Sequence, residues 1–172
     1  KRQVFKKSRE LYGLPNVLER NSRPKQILVV EGYMDVLACF SFGLPFAVAT
    51  LGIATNKFHL ETLFQKTDEV IFCFDGDEAG RNASKLALEI SISVVNDGKR
   101  VKFLFLPEKH DPASLLLEKG KDELANFYKE WHTDRLVIDK WFSVQILALR
   151  AGKNRSSDQS NAVQHIETFL AI

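Results

Sequence analysis

At 172 residues, with 45% hydrophobic and 27% charged residues, the chain has the size and composition of one well-cored globular domain with room for a small appendage. A formal net charge of +2 excludes an overall basic balance as a sign of nucleic-acid binding, and no apolar run approaches a membrane span or reads as a signal peptide. Cys39 and Cys73, the two cysteines, lie inside apolar runs; they are expected as buried, reduced core residues of a cytoplasmic protein, which excludes a disulfide framework or a Cys-based zinc site.

The chain begins at Lys1 without a methionine and is therefore expected to be a fragment of something longer. Residues 1–26 form a lead-in with eight Lys or Arg against two Glu, which reads equally as a basic approach to a site and as a solvated end. Within it, Val4–Leu14 is expected as a short helix broken by Gly13 and Pro15, and Asn16–Lys25 as a polar connector. Ile27-Leu-Val-Val30 is too short for a helix and rich in β-branched residues, the pattern of a strand buried on both faces of a parallel sheet. It ends at Glu31-Gly32, where a carboxylate reaches the carboxyl end of the strand and a glycine allows a sharp turn. Asp35 stands in the position of a helix cap, ahead of an apolar-periodic segment from about Val36 to Phe42 that stops at Gly43. Phe46–Ala49 is a second strand leading into the small-residue loop Thr50–Thr55. A helix over Lys57–Gln65 follows, with Phe58, Leu60, Leu63 and Phe64 as its apolar face.

Val70–Phe74 is the third strand and runs into Asp75-Gly-Asp77-Glu-Ala-Gly-Arg81. From Glu78 to about Asn96, Ala79, Ala83, Leu86, Ala87, Ile90 and Val94 recur at helical spacing, and Asp97-Gly98 ends the helix. Val101–Leu106 is the fourth strand, closed by Pro107, and the segment after it carries Asp111. Strands alternating with helices predict an α/β fold with a parallel sheet and right-handed crossovers. Beyond residue 121 the pattern changes to helices over Asp122–Trp131, Asp134–Arg150 and Asp158–Ala171, an all-helical tail without a catalytic constellation. The expected organisation is a basic lead-in (1–26), an α/β domain (27–120) and a helical subdomain (121–172).

In open α/β sheets, ligands bind outside the carboxyl ends of the strands, where Glu31, Asp75, Asp77 and Asp111 all fall. Several carboxylates at one sheet edge make a ready site for a hard divalent cation, Mg²⁺ or Mn²⁺. Taken alone, each has a plainer reading: Asp75-Gly-Asp77 as a turn with a helix cap, Glu31 as a strand-end surface carboxylate, Asp35 as a cap, Arg81 as a solvated helix arginine. Agreement among three strand ends favours the joint site. His110 reads as exposed and incidental, and His59, His132 and His165 have no evident partners.

Val29-Val-Glu-Gly-Tyr-Met-Asp-Val36 together with Phe74-Asp-Gly-Asp-Glu-Ala-Gly-Arg81 resembles the TOPRIM core of bacterial replicative DNA primases. The resemblance extends to Leu11-Tyr-Gly-Leu14, Ala47-Val-Ala-Thr-Leu-Gly52, Phe105-Leu-Pro107 and Asp111-Pro112, and covers roughly residues 5–120. It implies a four-stranded parallel TOPRIM sheet flanked by helices, belonging to a DNA-dependent RNA polymerase that makes replication primers by two-metal nucleotidyl transfer. It implies Glu31, Asp75 and Asp77 as catalytic metal ligands, with Glu31 alternatively the general base, and Asp111 as a weaker ligand or a neighbour of the ligands. It further implies Lys7 as a catalytic lysine, and Lys7, Arg9, Asp35 and Arg81 as contacts to template or triphosphate. The implied partners are single-stranded DNA template and ribonucleoside triphosphates, with a replicative helicase contacted through a domain absent from this chain. The implied location is the bacterial cytoplasm, nucleoid-associated at the replication fork, and the isolated fragment is expected to be a poor polymerase. Two departures stand out: Ala113 where the family usually has a second aspartate, and Ile53 where it commonly has threonine. The rival readings are another TOPRIM enzyme, a topoisomerase or an OLD-type nuclease, and a non-catalytic DNA-binding module of a recombination mediator. Tyr12, Tyr33 and Tyr128 lack the context of a topoisomerase nucleophile, and intact Glu31, Asp75 and Asp77 count against the non-catalytic module.

Overall fold

The computed structural model describes residues 6–52, 54–120 and 137–138. The four apolar runs become strands β1 (Ile27–Val30), β2 (Ala47–Ala49), β3 (Glu69–Phe74) and β4 (Arg100–Phe105). Every residue of β1, β2 and β3 is buried, as expected of strands covered on both faces. The helices are α1 (Leu14–Arg20), α2 (Tyr33–Ser41), α3 (Lys57–Phe64), α4 (Glu78–Val94) and α5, which covers residues 112–120; a 3-10 turn spans Lys7–Arg9.

β1 pairs in parallel with both β2 and β3, and β3 in parallel with β4. The order across the sheet is β2-β1-β3-β4-β5, the last strand being Val137–Ile138, antiparallel to β4. Alternation of side chains along the strands splits the core in two. On one face Ile27, Val29, Val70, Phe72, Val101 and Phe103 pack with Leu60, Leu63 and Phe64 of α3 and Leu88 and Ile92 of α4. On the other, Leu28, Val30, Ile71, Cys73 and Leu104 pack with Val36 and Cys39 of α2 and Leu115 and Leu116 of α5. Fully burying a side chain such as Phe72 stabilises the fold by about 1.5–3 kcal/mol. Burial pushes the Cys39 thiol up to about 12 and raises that of Cys73 as well, so both behave as inert core residues.

Three local expectations are corrected. The segment expected as a connector, Asn16–Lys25, begins as helix: Gly13 takes a left-handed turn at φ 82°, and Pro15, in the first helical turn where no amide donor is needed, starts α1 instead of ending a helix. Asp35 is not the cap of α2. Gly32 holds that position, and Asp35, three residues on, reaches back with Oδ2 to accept the Gly32 N–H at 3.0 Å. Of the helix expected over Asp134–Arg150 only Val137 and Ile138 are described, and they form β5, which takes the free edge of β4. The rest of the expected helical tail, and the amino-terminal part of the expected Val4–Leu14 helix, lie outside the described residues. Among the described residues, no helix is long and apolar enough to cross a membrane.

Candidate active site

The chain goes from β1 outward to β2 and then back past β1 to β3, so the strand order reverses between β1 and β3. At such a switch point the loops leaving the two strands diverge and open a crevice. Glu31 leaves β1 and Asp75 leaves β3 on the two sides of it. The register that pairs Val29 with Phe72 brings them together, and the Asp75 N–H donates to Glu31 Oε1 at 3.2 Å.

The loop after β3 is pressed against the loop after β4. The Gly76 N–H donates to the His110 carbonyl at 2.8 Å, and a Cβ on Gly76 would overlap the Pro107 carbonyl oxygen. Asp77 caps α4, its Oδ1 accepting the Gly80 N–H at 2.8 Å, and a Cβ on Gly80 would overlap the Asp75 carbonyl. Both glycines are therefore demanded by close backbone approach. Asp111 forms a reciprocal turn with Ser114 at the start of α5: its Oδ1 accepts the Ser114 N–H at 2.6 Å and its own N–H donates to Ser114 Oγ at 2.9 Å. Asp35, only 7% exposed, joins the two sides: besides the Gly32 N–H, its Oδ1 accepts the Ala113 N–H at 3.2 Å. The donor is a backbone amide, so the contact does not depend on the side chain at position 113.

The charges at the two ends of the sheet are managed differently. At the amino end, Glu69 is paired with Lys102 at 2.9 Å and Arg100 at 3.3 Å, and Asp68 with Lys99 at 2.6 Å. At the carboxyl end, among the described residues, no Lys, Arg or His forms an ion pair with Glu31, Asp35, Asp75, Asp77 or Asp111. The consequence is visible in proton affinity. Burial, then the negative charges of Glu31, Asp35, Asp111 and Asp77, push Asp75 from 3.8 up to about 7. Glu31 is raised mainly by burial, against the lowering effect of the Asp75 N–H and with further raising from Asp77 and Asp35. Asp35 is raised by burial and by Asp111 despite the two backbone amides it accepts. Among the described residues Asp75 Oδ1, a buried carboxylate oxygen, has no hydrogen-bond partner, a costly state.

The expected site residues thus divide. Glu31, Asp75, Asp77 and Asp111 gather at one edge, with Asp35 tying their loops together. Arg81 is half-buried in the first turn of α4, its N–H donating to the Asp77 carbonyl at 3.0 Å. Lys7 lies in the 3-10 turn, and the Arg9 guanidinium stands 5.0 Å from the centre of the Phe58 ring. Sequence reasoning missed two participants. His110, expected to be incidental, is half-buried and its carbonyl anchors Gly76; a backbone role leaves no side-chain signal. Asn56 caps α3 and holds the basic turn, which only its place before the apolar-periodic run could have suggested.

The fold and the site define a class: a parallel α/β domain whose switch-point crevice collects carboxylates that, among the described residues, have no counter-ion. A family model described as Toprim-like matches residues 28–116, and the chain belongs to that family. A second model, described as a domain of unknown function with ARM repeats, matches residues 113–168. A DNA primase of Pseudomonas putida is 53% identical over 119 residues, 69% of this chain and 18% of that protein. The chain therefore spans about a fifth of the length of the curated relatives it matches. A solved DNA primase domain from Pseudomonas aeruginosa matches with a TM-score of 0.74 at 42% identity, over 86% of this chain and 45% of that one. A DnaG primase catalytic domain solved bound to single-stranded DNA matches with a TM-score of 0.75 at 32% identity, over 99% of this chain and 58% of that one. The homology to bacterial primases thus falls on their catalytic core.

Proposed function

We propose that this chain is the Toprim part of a primase catalytic core, which joins ribonucleotides into primers on a single-stranded DNA template. The observation that carries the reading is the carboxylate cluster, which among the described residues has no compensating cation, with Asp75 raised to about 7 and its Oδ1 buried without a partner there. Toprim domains of primases are a metal-binding fold, and the donors fit Mg²⁺ or Mn²⁺: they are hard carboxylate oxygens whose mutual repulsion a cation would relieve. Among the described residues no three His, Cys, Asp or Glu side chains stand close enough together to hold an ion as they are placed, so the cation would have to draw these carboxylates in. In this reading Glu31, Asp75 and Asp77 would hold the ion, with Asp111 beside them. The bound metal would lower the pKa of an attacking 3′-hydroxyl and offset charge on the triphosphate.

The chain's own residues do the rest. In the alternative assignment Glu31 is not a ligand: half-buried and with raised proton affinity, it suits a group that takes the hydroxyl proton, and Asp75 and Asp77 hold the ion. The Asp35 bridge between Gly32 and Ala113 ties the loop after β1 to the loop after β4, which limits how far the carboxylates must move to share an ion. The basic segment with Lys6, Lys7 and Arg9 would neutralise phosphates of template or triphosphate, a contact weakened by salt. Arg81 would add a further phosphate contact at the start of α4. Contact with a replicative helicase and a place at the bacterial replication fork belong to the same reading of the longer protein. The test is primer synthesis by the full-length parent carrying Asp75→Ala. Loss of synthesis with unchanged folding is expected, and retained synthesis would remove Asp75 from the chemistry.

A further inference from the structure

We infer that Asn56 is the positioning residue that fixes the basic turn Lys6–Arg9 at the edge of the sheet, an inference that rests on the nucleic-acid reading above. The turn brings Lys6, Lys7 and Arg9 together within four residues. A three-residue 3-10 turn holds itself poorly, and crowded like charges oppose its formation. It has one internal hydrogen bond, from the Arg9 N–H to the Lys6 carbonyl at 2.8 Å. What anchors it is the amino end of α3. Asn56 Nδ2 donates to the Ser8 carbonyl at 3.0 Å, a contact across 48 residues of sequence. The Phe58 ring lies under the Arg9 guanidinium at 5.0 Å.

Asn56 is engaged at both ends of its amide. While Nδ2 holds Ser8, Oδ1 accepts the His59 N–H at 3.1 Å and so caps α3. The amide therefore cannot flip without losing one contact or both. Beneath it the His59 ring is fully buried, and burial lowers its pKa against the raising effect of the Ser8 backbone. A second tie follows three residues after Arg9: Tyr12 exchanges both backbone hydrogen bonds with Ala49, the last residue of β2, at 2.9 and 3.0 Å. β2 runs parallel to β1, so its carboxyl end lies on the edge of the sheet that also carries the carboxylates. The backbone of the turn is thus held at the acid-bearing edge, with the Arg9 guanidinium placed over Phe58, and a bound phosphate backbone need not order it.

Aspartate at position 56 would separate the two functions of the amide. It caps a helix as well as asparagine does but has no N–H for the Ser8 carbonyl. The experiment measures binding of a fluorescent single-stranded oligonucleotide across a salt series, using the full-length parent, Asn56→Asp and the double variant Lys6→Ala/Arg9→Ala. Asn56→Asp is expected to keep the thermal midpoint and Mn²⁺ binding, to weaken the oligonucleotide about fivefold, and to lower the steepness of the salt dependence by about 1. In primer synthesis its KM for template rises while kcat changes little. Asn56→Asp also adds a charge beside the turn, so Asn56→Ser, a neutral cap too short to reach the Ser8 carbonyl, is measured alongside and carries the same expectation. Should either unfold, Phe58→Leu, which removes the ring under Arg9 but no cap, replaces it. Parent-like binding by the neutral variant would assign the effect of Asn56→Asp to its charge and overturn the role of Asn56. Parent-like affinity and salt dependence in Asn56→Asp, with both reduced in Lys6→Ala/Arg9→Ala, would overturn the role of Asn56 alone. Parent-like binding by Lys6→Ala/Arg9→Ala would overturn the phosphate reading of the turn, and the role of Asn56 with it.

Discussion

Replacing Asp75 by asparagine keeps the shape of the side chain and removes the negative charge that the site holds at a cost. The folded chain raises Asp75 from 3.8 to about 7, so between those values the native state binds a proton that the unfolded state has released. Stability therefore falls as pH rises through this window, because the unfolded state binds fewer protons. A gap of about three pH units corresponds to about 4 kcal/mol. The group is only half-buried, and solvent screening reduces the usable figure to roughly 1–2 kcal/mol. Urea unfolding of the parent chain and of Asp75→Asn at a series of pH values measures this directly. The two are expected to be nearly equal at about pH 4. Above neutrality the variant should be more stable by roughly 1–2 kcal/mol. Added Mn²⁺ should stabilise the parent and leave Asp75→Asn unmoved. Equal stability of the two proteins at every pH would refute the claim that Asp75 sits in an uncompensated field of carboxylates.

The same proton affinity governs cation binding: because the ligand must be deprotonated, Mn²⁺ affinity by calorimetry should rise about tenfold between about pH 6 and pH 8, and a flat profile would argue against Asp75 as a ligand. Gly76→Ala should destabilise the domain by about 2–4 kcal/mol in thermal melts, since its Cβ meets the Pro107 carbonyl and neither partner is a flexible side-chain end. Asp35→Ala strands the Gly32 and Ala113 amides and should cost about 1–3 kcal/mol, with faster proteolysis between Pro107 and Asp111 reporting the loosened loop.

The strands were legible in the sequence because each is a continuous apolar run ending in a turn residue, and both faces of β1, β2 and β3 are indeed covered. The acidic strand ends were legible for the same reason: a carboxylate directly after a buried run has to emerge at the sheet edge. α1 was hidden because it buries only Val17, so no apolar periodicity marks it, and Pro15 looked like a break. β5 is two residues long and antiparallel, too short to show a period. Asp35 shows the subtler limit. A cap residue and a residue three positions into the helix look alike in sequence, and its contact with Ala113, 78 residues away, exists only once the sheet has brought two loops together. The Asn56–Ser8 contact is of the same kind, set by tertiary register and carried partly by backbone atoms that any residue would supply.

The account turns on whether the carboxylates leaving β1 and β3 hold a cation in common. Crystals of this chain soaked in Mn²⁺ and measured at an anomalous wavelength test it most directly. A peak coordinated by Asp75, with Glu31 or Asp77 completing the site, is the expected result; carboxylates that stay bare at saturating Mn²⁺, or a peak elsewhere on the surface, would contradict it.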